Sequence, residues 1–68
     1  MKTGDIIIVT NIKRFKQVRL IEIGSEARII SICQQGDYKG NLKAYCVELL
    51  NTGKIDFVFS DEIRLKEN

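Results

Sequence analysis

The sequence predicts an all-β fold, a small barrel of five short strands, and three observations carry that expectation. Eleven isoleucines stand against three phenylalanines, two tyrosines and no tryptophan, a bias toward side chains that fit a pleated, half-buried surface. Apolar residues come in short runs or at a spacing of two, as in Tyr45, Val47 and Leu49, which lines up one face of a strand. Glycine-bearing turns separate those runs. At 68 residues the chain reads as one domain, residues 1–68, which buries only roughly 60% of the surface its unfolded form exposes.

The longest β signal runs from Gly24 to Leu50 and reads as one hairpin. Its first arm carries Ala27, Ile29, Ile30, Ile32 and Cys33, and its second carries Tyr45, Val47 and Leu49. Between them Gly36, Asp37, Gly40 and Asn41 tolerate positive φ or bond their own backbone, so they reverse the chain without strain. A helix over 26–33 would scatter Ile29, Ile30 and Ile32 around the cylinder.

In chain order, Ile6 to Thr10 is the first strand, with Ile7 and Val9 facing the core and Ile6, Ile8 and Thr10 outward. A slip of one residue would exchange those faces. Asn11 to Glu22 breaks the alternation, has a thin apolar stripe and no capping box, and reads as a long, partly ordered loop. Leu20 or Ile21, together with Ile23, is expected to tuck under the barrel before Gly24 turns the chain into the second strand. Because Ile29 and Ile32 are three apart, pointing both inward requires a β-bulge near Ile30-Ser31. The third strand, Lys43 to Leu50, directs Ala44, Cys46 and Glu48 outward, and Asn51-Thr52-Gly53 is a hairpin loop. The fourth strand, Lys54 to Phe59, sets Ile55, Phe57 and Phe59 on one face and Asp56 and Val58 on the other. Ser60-Asp61-Glu62 is a single helical turn capped by Ser60 or Asp61, and Ile63-Arg64-Leu65 is a short closing strand.

Composition narrows the function classes. There is no apolar run near 18 residues and no signal-type segment, so the expectation is a cytoplasmic protein that does not span a membrane. Cys33 and Cys46 are too few for a disulfide framework and, with no histidine, do not make a Cys/His zinc site, so no metal and no cofactor is expected. A regular hairpin would set the two cysteines opposite each other, which leaves either a cross-strand disulfide or, as in most cytosolic proteins, two reduced thiols. The absence of proline removes one means of blunting an exposed sheet edge, so a partner is expected to cover an edge strand.

The series Gly4-Asp5-Ile6-Ile7-Ile8-Val9, Ile23-Gly24 with Ala27 and Ile29, Tyr45-x-Val47-x-Leu49, Gly53 and Asp61-Glu62-Ile63 spans nearly the whole chain. It resembles an SH3-like small barrel, with a long first loop and a one-turn helical element before the last strand. The order is similar to the KOW-type modules of ribosomal and transcription proteins, the small stromal barrel subunit of photosystem I, and the plasmid-borne type II dihydrofolate reductases. Ala27 stands where KOW modules usually carry glycine. The reductase resemblance implies one active pore built from four barrels with a Val-Gln-Ile-Tyr stretch. The matching strand here, Ile55-Asp56-Phe57-Val58, lacks the glutamine and the tyrosine, and no catalytic residue is assigned.

The formal net charge of +2 is unevenly spread, residues 1–20 carrying +4 and the rest −2. Lys13, Arg14, Lys16 and Arg19 with Phe15 between them form a basic loop that suits an anionic protein surface, or phosphates and a stacked base; a solvated loop is the plainer alternative. Outward Ile6 and Ile8 would add an apolar patch of the kind that marks interfaces. The expected function is therefore non-catalytic binding: a small regulatory, accessory or inhibitor protein that contacts another protein, or a further copy of itself, through Ile6, Ile8 and the basic loop. Such a protein suits a phage or mobile element. The alternative is a nucleic-acid-binding barrel using Lys13 to Arg19. Asp56, Asp61, Glu62 and Glu67 are read as turn caps and solvated strand ends, with no acid–base role.

Overall fold

The computed structural model describes residues 1–13, 16–33 and 43–66, Lys16 by its backbone alone. Five antiparallel strands form one sheet: β1 (Ile6–Val9), β2 (Glu26–Cys33), β3 (Ala44–Leu49), β4 (Ile55–Phe59) and β5 (Ile63–Leu65). Their order is β4-β3-β2-β1-β5, so β2, β3 and β4 follow as a meander while β5 returns to the free side of β1. This is the all-β order expected from the sequence. The sheet curls around a core of Ile7, Val9, Ile21, Ala27, Ile29, Tyr45, Val47, Leu49, Val58 and Ile63. β1, β2 and β3 supply that core at alternate positions, and β4 and β5 add Val58 and Ile63, which is what fixes the registers.

The first strand ends at Val9, one residue short of the expected Thr10, whose amide and hydroxyl bond instead to the Glu62 carbonyl at 2.8 and 3.1 Å. The bulge in β2 is present: the pairing with β3 shifts between Ile29 and Ser31. It turns Ile32 to the face of Tyr45, its partner. Ile32 nevertheless stays exposed, because β1 pairs β2 only between Glu26 and Arg28 and does not extend over this end of the strand. Gly24 (φ 92°) donates to the Val9 carbonyl at 2.7 Å, closing the turn into β2 in a conformation that a side chain would strain.

The long first loop contains one 3₁₀ turn, Lys16–Val18. Of its apolar residues Ile21 enters the core, whereas Leu20 and Ile23 are exposed, so the expectation for Ile23 is corrected. A second 3₁₀ turn, Ser60–Glu62, links β4 to β5. Its cap position is Phe59, with neither Ser60 nor Asp61 in that role, and the Glu62 carboxylate accepts the Phe59 amide at 3.0 Å. The expected loop at 34–41 lies outside the described residues. Cys33 pairs with Ala44 and Cys46 with Ser31, so the two thiols are diagonal neighbours and not opposite ones. Diagonal positions leave roughly 7–8 Å between strands, too far for a bridge, and both cysteines are free.

Candidate functional site

Glu62 organises the region where the sequence placed a basic binding loop. Its side chain and that of Arg19 have no exposed surface, and Arg19 donates to both carboxylate oxygens, Nη2 to Oε1 at 2.6 Å and Nη1 to Oε2 at 3.3 Å. The Lys13 amide donates to Oε2 at 2.8 Å, and the Lys13 ammonium lies 3.5 Å from Asp61. Burial pushes the Glu62 carboxyl up from its ordinary value near 4.5. The Arg19 hydrogen bond, the Phe59 and Lys13 amides and the Arg19 charge outweigh burial, and the net shift is downward. Arg19, expected to face a partner, is a buried counter-ion. Lys13 is exposed, but its charge is shared with Asp61. Arg14 and Phe15 lie outside the described residues, as does the side chain of Lys16.

Ile6 and Ile8 are half-buried, and β1 is an inner strand and not an edge. Register places Arg28 beside Ile6, and Glu26 and Arg64 beside Ile8. Lys66, whose amide bonds the Ile6 carbonyl, reaches Glu26 with its ammonium at 2.8 Å. That ion pair joins the two sides of β1, from the neighbour of Ile6 to the partner of Ile8. The apolar pair expected on this face is present but half-buried and flanked by charged residues.

The barer apolar surface lies on the other side of the sheet's outer face. Ile55, Phe57 and Phe59 alternate with Asp56 and Val58 as expected, and Val58 is the core member. Ile55 is 50% exposed and Phe57 37% exposed, with half-buried Cys46 opposite Phe57 and Ile30, at the bulge, 39% exposed. One flank of this strip is closed by the Arg28–Glu48 ion pair at 2.7 Å, in the row that also holds Ile55. The Arg19 guanidinium lies 4.8 Å from the Phe57 ring centroid and 5.9 Å from that of Phe59, and the two rings meet edge to face at 5.8 Å. Phe57 is thus held on one side by a cation and a second ring while much of it remains open.

The outer edge of β4 is closed by its own chain. The Phe57 and Phe59 amides, which point away from β3, donate to Asp56 Oδ1 at 2.7 Å and Glu62 Oε1 at 3.0 Å, and Asp56 Oδ2 takes the Leu20 amide at 2.7 Å. Carboxylates do here what proline does in other edge strands. The sequence reading missed this because nothing in the spacing connects Arg19 to Glu62, 43 residues away. The one available signal was a glutamate three residues after the end of a strand.

Shallow grooves open on the surface, one of about 160 Å³ between Leu20, Ser25, Asn51 and Lys54 and one of about 340 Å³ between Gly24, Glu26, Leu50 and Asn51, the first under and the second at the low end of the roughly 300–1,000 Å³ of small-molecule pockets. Among the described residues no group of histidine, cysteine, aspartate and glutamate could hold a metal ion, and no helix is long and apolar enough to cross a membrane. No family model matches the chain, and no curated protein and no solved structure matches it either.

Proposed function

We propose that the protein is a non-catalytic binding module that recognises another protein through the outer face of β4 and β3, acting as a small regulatory or accessory subunit. The observation that carries this reading is the strip of Ile55, Phe57 and Cys46, with Ile30 exposed at the neighbouring bulge beside Ser31, the β2 partner of Cys46: largely apolar, and built around an aromatic ring already fixed by Arg19. A ring whose orientation is set before contact loses little side-chain entropy on binding, and aromatic anchors of this kind carry much of the energy of protein interfaces. The closed edge of β4 favours contact through side chains over addition of a strand. The nucleic-acid alternative is weakened by the partners of Lys13 and Arg19, whose charges are already matched by Asp61 and Glu62.

Capture from nuclease-treated lysate tests the proposal. The wild type is expected to retain a defined protein that the Ile55→Ser/Phe57→Ser variant loses. Retention of nucleic acid alone from untreated lysate, unaffected by that variant, would contradict it.

A further inference from the structure

Glu62 joins separate parts of the chain to one residue. Its carbonyl accepts the Thr10 and Asn11 amides, and its carboxylate accepts Lys13, Arg19 and Phe59. From Lys16 to Leu20 the described chain meets β4 through Arg19 and Leu20 with little apolar purchase before Ile21 enters the core. Val18 is 74% exposed and Ile23 67% exposed, Leu20 is exposed, and Ile21 alone of these four enters the core. What holds this stretch to β4 is polar: the Arg19–Glu62 pair, the Leu20–Asp56 bond, and the Arg19 guanidinium laid against Phe57 and Phe59.

We infer that the segment 16–20, ahead of the Ile21 anchor, is a strap, latched by Glu62, that is closed over the Phe57–Phe59 pair and opens as a unit separate from the sheet. A buried ion pair is costly to desolvate, and packed apolar side chains of similar volume commonly hold two elements together at least as well. Unlike an apolar plug, an ionic latch is released by removing or competing for one charge, which leaves the rest of the core in place. Segments with few buried apolar contacts open locally at a lower free energy than the core. Opening uncovers both aromatic rings and frees the Arg19 guanidinium together, so the open state presents a cation beside an apolar surface. A partner segment bearing a carboxylate next to an apolar side chain would favour that state, by taking over the role of Glu62. The strap stands independently of whether the β4 face binds a protein.

Native-state amide exchange on the full chain tests it, comparing wild type with Glu62→Gln. The Lys13, Leu20 and Phe59 amides should exchange about ten- to a hundredfold faster in the variant. Hydroxyl-radical oxidation of Phe57 and Phe59 should rise in the same variant. In the wild type, traces of denaturant too low to unfold the sheet should already separate the strap amides from those of β2 and β3. If the strap amides of the wild type exchange only together with those of β2 and β3 at every denaturant concentration, or the variant fails to fold, the pair supports the core and is no latch. Unchanged exchange at Lys13 and Leu20 would overturn the inference equally.

Discussion

At Glu62 a fully buried carboxylate is offset by a guanidinium and two backbone amides, and the balance dictates how stability responds to acid. Its folded pKa lies below the ordinary value near 4.5, so its contribution is fully present above that value and is lost as pH falls through the lower folded one. Wild type should therefore exceed Glu62→Gln in stability at neutral pH by about 1.5–3 kcal/mol, the worth of a hydrogen bond to a charged group. The gap should narrow as the carboxylate protonates, and urea unfolding at several pH values measures it. Gly24 supplies a second test at this scale. With φ at 92° and open space around the position, Gly24→Ala is limited by backbone strain and not by a clash, and should cost about 1–2 kcal/mol in the same assay. The Gly24 turn could be read from the sequence because the glycine ended one apolar run and preceded the next. The burial of Arg19 could not, since an arginine among lysines in a loop gives no sign of a partner 43 residues away.

At the scale of the element, β4 shows how far alternation carries. The spacing of Ile55, Phe57 and Phe59 against Asp56 and Val58 sorted the residues onto two faces without saying which is inward, because a period of two is a property of the backbone. It could not say how the edge is satisfied, which depends on side chains from the strand itself and from the following turn. Asp56 carries much of that task, accepting the Phe57 and Leu20 amides at 2.7 Å each. Asp56→Ala should expose an unprotected edge and promote strand-to-strand association, seen as a concentration-dependent rise in sedimentation coefficient. Retention of the wild-type sedimentation profile at every concentration would show that the edge is guarded by something else. The β2 bulge was legible for a similar reason: Ile29 and Ile32 demanded it. The exposure of Ile32 depends on how far a neighbouring strand extends, and a single strand's sequence does not encode that.

At the scale of the whole molecule, the charge asymmetry that stands out in the sequence is reduced by the fold. Lys13 turns to Asp61 and Arg19 to Glu62, so two cations of the basic first third meet acids from the last, while Arg28 pairs with Glu48 and Lys66 with Glu26. What distinguishes the surface is then the apolar strip across β4, β3 and the bulge of β2. Binding through that strip should lose little affinity between low and moderate salt, whereas phosphate contacts would give a steep loss through counterion release. The most direct test of the account is hydroxyl-radical footprinting of the captured complex against the free protein. Binding through β4 predicts that Ile55 and Phe57 become protected while Leu50 and Leu65, exposed elsewhere on the molecule, oxidise as before. Protection confined to Ile6, Ile8 and the loop around Lys13, with Ile55 and Phe57 unchanged, would contradict it.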